Sequence, residues 1–390
     1  MPRDNISSVL TSSVSGRRVA LGHDWLTGMR GGERVLEYFC RAFPDAPIST
    51  LISNPASVSE VIRSHPIRAS FLNRIPGAAK HYRNFLPLMP FAARALPPPD
   101  ADLLISTSHC VAKSFRKKRG AKHLCVCFTP MRYAWTFFDE YFGASPVKAT
   151  LARPLLAALR KWDRATAGEV DSFVAISKHV AKRIGDFYGR DSVVVYPPVD
   201  LERCMPLCSG GAMRRQAAQA TYPSHAAATQ CDLIVSALVP YKRVDLAVEL
   251  YTRKNWRLKV VGIGGEFEKL KRIAGPTVEL LGSLPDSEIV ALYQHCHALI
   301  FPGEEDYGIV PLEAQACGRP VVAFGKGGAL ETVADGVSGV FFAEQTLDSL
   351  EDAVNRCAAM EWDGAKIRAN AERFGPEQFI KGMAEAIKEM

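Results

Sequence analysis

Residues 299–333 contain the pattern that most constrains how this chain folds. Residues 299–301 end a short apolar run, as expected of a buried strand in a parallel sheet. The proline and glycines within residues 302–308 predict a turn. A helical pattern begins at about Val310, and Gly318-Arg319-Pro320 ends it. The sequence therefore predicts a strand, a turn and a helix, with the turn at the carboxyl end of the strand.

The turn and the start of the helix carry groups that bind phosphates and hydroxyls. The backbone N–H groups of Gly308, Ile309 and Val310 are expected to point out of the helix N-terminus, where an anion such as a diphosphate binds. Glu305 precedes these residues and Glu313 follows them. A carboxylate repels a phosphate, but it accepts hydrogen bonds from the neutral hydroxyls of a sugar ring or a ribose diol. This combination predicts the donor half of a nucleotide-sugar site.

The segment EEDYGIVPLEAQACGRPVVA, residues 304–323, resembles the Glu-x7-Glu signature of the retaining family 4 glycosyltransferases. It is particularly similar to the bacterial GDP-mannose-dependent mannosyltransferases of O-antigen and exopolysaccharide synthesis. Counting further motifs, the resemblance covers roughly residues 17–385. It implies an α/β protein of GT-B architecture, in which two Rossmann-like domains face each other across a cleft.

The resemblance and the local composition together predict the domain boundaries. A Ser-rich segment without an apolar core is expected to be disordered, and a long segment of small residues is expected to form a mobile loop between the domains. The expected parts are a disordered N-terminus (1–16), an N-terminal acceptor-binding Rossmann-like domain (17–200), a linker or mobile loop (201–231), a C-terminal nucleotide-sugar-binding Rossmann-like domain (232–374) and a C-terminal helix that crosses back to the first domain (375–390).

Composition and length favour a two-domain cytoplasmic protein. A chain of 390 residues suits two domains of ordinary size. The N-terminus does not have the pattern of a signal peptide, and no apolar run reaches the roughly 18 residues that span a bilayer. The ten cysteines form no disulfide framework, so we expect reduced thiols. By resemblance, the protein acts at the cytoplasmic face of the inner membrane and requires neither a metal nor another cofactor.

Two segments of the N-terminal half indicate contact with a membrane or a lipid. A basic block between residues 113 and 122 is either a solvated loop or a surface that attracts an anionic membrane or a lipid diphosphate. Residues 81–96 are aromatic, apolar and basic, and they either dock at a membrane interface or pack in the domain core. No recognition motif for nucleic acid accompanies the basic block. The block consists of Lys113, Arg116, Lys117, Lys118, Arg119 and Lys122.

Candidate site residues of the N-terminal half lie at predicted carboxyl ends of strands. Gly32 opens a helix after the first strand, and by resemblance its loop faces the donor phosphates. His109 follows the predicted strand 102–106, where parallel sheets place ligands, and the resemblance implies an active-site histidine near this position. Arg132, Tyr133 and Trp135 are expected to form a wall that binds the acceptor sugar or a phosphate.

The C-terminal half supplies the predicted cations. Lys242 and Arg243 lie between a strand and a helix, and two cations there can neutralise a departing diphosphate without a metal. The family pattern also has an arginine where this chain has Ala237, so either Arg243 takes that role or diphosphate binding is weaker. By resemblance, the backbone near Gly282 meets the nucleobase.

Two further motifs are interpreted as structural. The loop Gly262-Ile263-Gly264-Gly265 resembles a nicotinamide-binding loop, but Phe267 stands at the position of its third glycine. Asp100-Ala101-Asp102 matches the Asp-x-Asp metal motif, but it precedes a strand rather than following one. We therefore expect it to cap the start of that strand.

The sequence predicts a retaining hexosyltransferase in which Glu305, His109 and Lys242 are catalytic. The resemblance favours GDP-mannose as the donor and a lipid-linked saccharide diphosphate as the acceptor, for bacterial surface polysaccharide synthesis. A UDP-sugar or another GDP-sugar stays open as the donor. A nucleotide-sugar epimerase, a glycosyl phosphorylase and a catalytically inactive sugar-binding protein also stay open as functions, and Ala237 alone favours the last of these.

Overall fold

The computed structural model describes residues 3–136, 146–207 and 231–390. The chain divides into a first unit, residues 1–197 with 377–390, and a second unit, residues 198–376. The loop predicted at 201–231 lies outside the described residues from 208 to 230. Along the described ranges, no helix is long and apolar enough to cross a membrane.

The first unit is a parallel sheet with helices packed around it. Its strand order is β3-β2-β1-β4-β5-β6-β7. The strands are β1 (Val19–Leu26), β2 (Ile48–Ser53), β3 (Ile67–Ala69), β4 (Leu103–Ser108), β5 (Lys122–Cys127), β6 (Ser172–Ala175) and β7 (Val193–Val194). The helices are α1 (Arg3–Ser13), α2 (Gly31–Ala42), α3 (Glu60–Arg63), α4 (Ala78–His81), α5 (Met89–Ala95), α6 (Arg132–Trp135), α7 (Pro146–Ala167) and α8 (Lys178–Tyr188).

The second unit is also built on a parallel sheet, with the order β10-β9-β8-β11-β12-β13. Its strands are β8 (Asp232–Val235), β9 (Leu258–Val261), β10 (Val278–Gly282), β11 (Leu299–Phe301), β12 (Val321–Phe324) and β13 (Gly339–Phe342). Its helices are α9 (Val244–Lys254), α10 (Phe267–Ile273), α11 (Asp286–His295), α12 (Ile309–Ala316), α13 (Ala329–Thr332), α14 (Leu347–Ala359) and α15 (Gly364–Glu372). The predicted α/β class and the pair of Rossmann-like domains are confirmed.

The strand order places a switch point in each sheet. β1 pairs with β2 on one side and β4 on the other, and β8 likewise pairs with β9 and β11. Open parallel sheets bind ligands in the crevice outside the carboxyl ends of the strands at such points. His109 follows β4, while Lys242 and Glu305 follow β8 and β11. The candidate residues therefore lie at the edges where this architecture binds ligands.

The N-terminal segment differs from the expectation of disorder. Helix α1 buries Leu10, Val14 is buried just beyond the end of the helix, and Thr11 Oγ1 donates a hydrogen bond to the carbonyl of Ala42 at 3.0 Å. These two apolar residues lie four positions apart, about one helical turn, and α1 packs against α2. The Ser-rich composition concealed this weak amphipathic pattern. The last helix, α16 (Pro376–Lys388), packs on the same unit, where Phe379 meets Phe39 with the ring centroids 6.0 Å apart.

Residues 81–96 pack partly in the core of the first unit and are partly exposed. Tyr82, Met89 and Leu96 belong to the buried core of the first unit. By contrast, Phe91 is 70% exposed and Leu88 is 44% exposed. The segment therefore anchors itself in the core and also presents large apolar groups to solvent.

The basic block is not one solvated surface, because Lys113 is fully buried. Its ammonium pairs with Asp163 Oδ1 at 2.8 Å and donates a hydrogen bond to Thr166 Oγ1 at 3.0 Å. It also lies 5.1 Å from the ring centroid of Tyr188. A lysine is buried only when its charge is paired, and the partner that makes this possible comes from α7. Lys113 is therefore removed from the predicted basic surface.

Other charges of the block are also paired. Lys118 lies 2.6 Å from Asp100, and Lys117 pairs with Asp171. Arg18 bridges both aspartates of the Asp-x-Asp sequence, with 2.6 Å to Asp100 and 3.3 Å to Asp102. The ion pairs of Asp100 and Asp102 with Arg18 lie at the start of β4, as expected of a cap on that strand.

Replacing Lys113 should strongly destabilise the first unit. Lys113→Ala leaves the carboxylate of Asp163 buried without its cation, which should lower the free energy of unfolding by about 3–5 kcal/mol. The matched control is Lys118→Ala, since that side chain is 50% exposed and its surface pair should contribute about 1 kcal/mol or less. Urea unfolding of both variants measures the difference. Equal, small effects would contradict a structural role for the buried pair.

Candidate active site

In the second unit, loops from neighbouring strands touch backbone to backbone at the carboxyl edge of the sheet. A Cβ atom on Gly303 would lie 2.7 Å from Cα of Lys242, and one on Gly328 would lie 2.3 Å from Cα of Tyr307. Only glycine permits such approaches, so the turn after β11 is held between the Lys242 loop and the loop after β12. This packing fixes the position of Glu305 within the turn.

The tight packing brings two predicted catalytic residues together. The ammonium of Lys242 forms an ion pair with Glu305 Oε1, and both side chains are mostly buried. Lys242 ends a 3₁₀ turn, and the carbonyl of Glu305 accepts a hydrogen bond from the N–H of Gly328 at 2.7 Å. Cation and carboxylate are therefore presented side by side from loops on either side of the switch point.

Glu313 lies on α12 and is held by two partners that the sequence did not indicate. Its Oε1 pairs with the guanidinium of Arg203, and its Oε2 accepts a hydrogen bond from Tyr293 Oη at 3.0 Å. Tyr293 is fully buried. The carboxylate keeps 15% of its side-chain exposure, so it is oriented from within the unit while still reaching solvent.

The remaining candidates of the second unit surround this centre. Arg243 adopts a left-handed backbone conformation with φ of 50°, and its guanidinium lies 3.3 Å from Asp245. Gly308 precedes α12, and no side chain caps the start of that helix before Ile309 and Val310. Gly282 ends β10, and its carbonyl accepts a hydrogen bond from the N–H of Gly262 at 2.7 Å. Ala237 is exposed in the loop after β8.

In the first unit, one buried carboxylate organises the turn after β4. Asp24 accepts hydrogen bonds from the backbone N–H groups of four consecutive residues, 109–112, at 2.6–3.0 Å. Burial raises the pKa of Asp24, and these hydrogen bonds act in the opposite direction. Asp24 lies within β1, which continues to Leu26. The strand tolerates a buried Asp24 because those donors satisfy its carboxylate.

The same carboxylate also orients His109. Asp24 Oδ2 lies 3.1 Å from Nδ1 of His109, and the edge of that imidazole meets Trp25 with the ring centroids 4.4 Å apart. Burial, together with the positive charges of Arg132 and Arg30, lowers the pKa of His109. The imidazole is therefore neutral at pH 7. With Nδ1–H donated to Asp24, Nε2 carries the lone pair and can accept a hydrogen bond.

Gly32 lies at the start of α2 beside a second buried histidine. A Cβ atom on Gly32 would lie 3.2 Å from Cε1 of His23. His23 Nδ1 lies 2.7 Å from Thr107 Oγ1, and its Nε2 lies 4.0 Å from Glu33 Oε1. Thr107 donates its hydroxyl proton to the carbonyl of Gly22, so His23 Nδ1 must be the donor of that contact. Burial lowers the pKa of His23 to about 3.

The three residues of the predicted acceptor wall contact other residues of the first unit. Trp135 donates its indole N–H to Asp163 at 2.8 Å and stacks on Phe187 with the centroids 4.7 Å apart. Tyr133 packs partly buried against the core. Arg132 begins α6 and places its positive charge near His109. Of the three, Arg132 acts on the electrostatics of the candidate histidine, while Trp135 serves to attach α6 to α7.

Several residues of the candidate site escaped the sequence analysis. Asp24 could have been found as an acidic residue within an apolar strand. Glu33 could have been found from the helix-starting pattern Gly-Gly-Glu. Arg203 and Tyr293 gave no comparable signal, because each meets Glu313 only after the chain has folded. The glycines of residues 325–328 signalled a loop, but not the backbone contact that they allow with the turn after β11.

Two family models match the two halves of the chain. Residues 29–203 match the model described as Glycosyltransferase Family 4, and residues 231–374 match Glycosyl transferases group 1. The D-inositol 3-phosphate glycosyltransferase of Geodermatophilus obscurus is 31% identical over 273 residues, which cover 61% of this chain and 59% of that protein. An uncharacterized glycosyltransferase of Methanocaldococcus jannaschii is 26% identical over 167 residues, 40% of this chain and 48% of that protein. The chain thus spans about half the length of these curated relatives.

Solved structures with the same fold cover nearly the whole chain. HepE of Anabaena, in complex with UDP, has a TM-score of 0.66 at 17% identity and covers 96% of this chain and 100% of its own. Sucrose-phosphate synthase of Thermosynechococcus elongatus has a TM-score of 0.68 at 15% identity and covers 96% of this chain and 99% of its own. At these identities the similarity establishes the fold, which is that of GT-B glycosyltransferases.

The buried carboxyl of Glu33 should make stability depend on pH. Burial raises its pKa from 4.5 to about 7, so between these values the folded protein binds a proton that the unfolded chain releases. The contribution of Glu33 to stability therefore falls as the pH rises through this window. Glu33→Gln keeps an oxygen for the N–H of Arg30, which lies 3.1 Å from Glu33 Oε2, and removes the titration.

Relative to the unmodified protein, the Glu33→Gln variant should gain up to about 3 kcal/mol of unfolding free energy at pH 8 compared with pH 5. Urea unfolding at both pH values measures this change. The lowered pKa of His23 gives the opposite slope, but it is common to both proteins and cancels in the difference. A variant effect of the same size at both pH values would contradict the titration of Glu33.

Proposed function

Because the two halves of this chain match two glycosyltransferase family models, we propose that the protein is a retaining glycosyltransferase. It moves a hexose from a nucleoside diphosphate sugar to a saccharide acceptor. The observation that carries this proposal is the arrangement at the switch point of the second sheet. There, Lys242 and Glu305 lie side by side in front of the uncapped start of α12, the helix that also bears Glu313.

The proposed donor site divides the nucleotide sugar among these groups. Glu313 accepts hydrogen bonds from the ribose diol, and Gly282 lies beside the nucleobase. The diphosphate meets the ammonium of Lys242 and the guanidinium of Arg243. It also receives the N–H groups of Gly308, Ile309 and Val310, because a helix N-terminus favours an anion. Glu305 accepts hydrogen bonds from the sugar hydroxyls.

The proposed reaction breaks the bond between C1 of the sugar and the diphosphate oxygen. C1 passes through an oxocarbenium-like state, and the acceptor hydroxyl forms the new C1–O bond on the same face. The hydroxyl proton passes to the departing phosphate oxygen, so no nucleophile of the enzyme is needed. The ammonium of Lys242 partly exchanges its ion pair with Glu305 for contacts with the diphosphate. It thereby stabilises the negative charge that develops on the leaving group. His109, neutral and oriented by Asp24, accepts a hydrogen bond from a sugar hydroxyl through Nε2.

The choice of donor rests on two kinds of similarity. The Glu-x7-Glu segment resembles that of GDP-mannose-dependent mannosyltransferases, which favours GDP-mannose. The HepE structures in complex with UDP and UDP-glucose support a UDP-sugar instead. Both donors share the ribose and the diphosphate, so the proposed roles of Glu313 and Lys242 hold for either.

We propose a lipid-linked saccharide diphosphate as the acceptor and peripheral contact with the inner membrane. Four large apolar side chains are exposed on neighbouring segments of the first unit: Phe71 (44%), Ile75 (36%), Leu88 (44%) and Phe91 (70%). From residue 61 to residue 99 the chain has six lysines and arginines and no aspartate or glutamate. Exposed apolar groups on a segment rich in cations suit the surface of an anionic bilayer.

The donor proposal is tested by the release of nucleoside diphosphate from GDP-mannose and UDP-glucose in the presence of saccharide acceptors. Lys242→Ala should lower turnover about 10²–10³-fold, because the leaving group loses a well-placed cation. Lys254→Ala is the control, since Lys254 pairs with Glu351 on the surface. Faster release of nucleoside diphosphate from UDP-glucose than from GDP-mannose would identify a UDP-sugar as the donor. Near-native turnover of Lys242→Ala would exclude that residue from leaving-group stabilisation.

The membrane proposal predicts binding to vesicles that contain anionic phospholipid. Phe91→Ser should weaken this binding roughly 30-fold, because it removes about 2 kcal/mol of apolar burial. Added salt should weaken it further. Ile273→Ser, which removes an exposed apolar side chain from the second unit, should have no effect. Co-sedimentation with vesicles measures all three effects, and equal binding of both variants would contradict the assigned surface.

A further inference from the structure

Glu313 receives a different donor on each carboxylate oxygen. Arg203 pairs with Oε1, and the hydroxyl of Tyr293 lies 3.0 Å from Oε2. The two donors come from distant parts of the second unit. Arg203 lies 110 positions before Glu313, and Tyr293 lies on α11. This arrangement holds the plane of the carboxylate from two sides.

The segment that carries Arg203 is itself fastened to α12. The N–H of Arg203 donates to Asp200 Oδ1 at 3.0 Å. The guanidinium of Arg368 donates to the carbonyls of Leu201 at 3.3 Å, Cys204 at 3.0 Å and Ala316 at 2.6 Å. Ala316 is the last residue of α12. Arg368 therefore connects the segment that carries Arg203 to the helix that carries Glu313. This connection fixes the geometry of the ion pair between Arg203 and Glu313.

Both partners donate hydrogen bonds to Glu313. The guanidinium of arginine has only donors and stays charged. Burial raises the pKa of Tyr293 well above its ordinary value, and the negative charge of Glu313 acts in the same direction, so the phenol keeps the proton that it donates. Glu313 is therefore the acceptor in both contacts. Each of its oxygens keeps lone-pair capacity that further donors can use.

We propose that Arg203, supported by Tyr293, is a positioning residue that presents Glu313 as a paired acceptor for a vicinal diol. Each remaining lone pair takes one hydroxyl, so the fit is to the unmodified 2′- and 3′-hydroxyls of a ribose. A phosphate at either position would face the carboxylate charge and be rejected. The inference rests on the proposed function, since it assigns the ribose to Glu313, but it concerns residues to which that proposal gives no role.

The test compares ribonucleotides with matched analogues that lack the diol. GDP, UDP and their 2′,3′-dideoxy forms are titrated into the protein by calorimetry. The unmodified protein should bind the ribo forms at least about tenfold more tightly, because a lost diol leaves the acceptor unsatisfied. Arg203→Gln should lower the affinity for the ribo forms by about tenfold and leave that for the dideoxy forms unchanged. The selective loss distinguishes positioning from general damage.

Further variants keep the test decisive if Arg203→Gln does not fold. Arg203→Lys keeps the charge and should restore part of the preference for the ribo form. Tyr293→Phe removes only the hydroxyl and should reduce that preference severalfold. Arg253→Gln is the matched control, since Arg253 pairs with Glu249 on the surface of α9, and it should bind as the unmodified protein does.

The outcomes separate this inference from the proposed function. If the unmodified protein binds no nucleotide, the proposed function fails and the inference fails with it. If it binds ribo and dideoxy forms equally, Glu313 does not recognise the diol and the inference fails while nucleotide binding stands. If it prefers ribo forms and the variants of Arg203 and Tyr293 retain that preference in full, the inference alone is overturned.

Discussion

A charged side chain that leaves water must be paired, and this constraint shapes both edges where the chain is expected to bind ligands. Asp24 is satisfied by the N–H groups of the turn after β4, and Glu313 by Arg203 and Tyr293. Lys242 and Glu305 satisfy each other. In each case the partner lies on another loop or helix, so the pairing also fixes the relative positions of those segments. The same contacts therefore pair the buried charges and set the geometry of the candidate sites.

The paired arrangement suits a ligand that carries both charge and hydroxyls. Under the proposed function, a nucleoside diphosphate sugar would bring anionic oxygens to Lys242 and neutral hydroxyl donors to Glu305. Binding therefore exchanges partners within an existing pair and leaves no charge of the pair isolated. Because the exchange takes place among partly buried groups, its electrostatic consequences are larger than they would be on an exposed surface. The charged groups of the site are desolvated and paired when the chain folds, so ligand binding does not have to supply that free energy.

The sequence predicted the elements of the second unit well because their signals are local. The apolar run, the turn glycines and the stop at Gly318 placed β11 and α12 to within about one residue. Pairings across the fold gave no such signal. Lys113 stood among cations that are partly or fully exposed, and only the contact with Asp163 on α7 accounts for its burial. The N-terminal helix was missed for a related reason, because its stability comes from packing on α2 rather than from helix propensity.

Ala237 shows how the pairings bear on the residue in which this chain departs from the family pattern. Its methyl group is exposed in the loop after β8 and supplies no charge. Arg243 lies in the same loop with a left-handed backbone that directs its side chain toward Asp245 and Gln345. Under the proposed function, a diphosphate would have to draw Arg243 from these partners to gain a second cation. The uncapped start of α12 needs no such exchange, since its N–H groups already point outward. With alanine instead of arginine at residue 237, the diphosphate would therefore be bound mainly by the N-terminus of α12 and by Lys242.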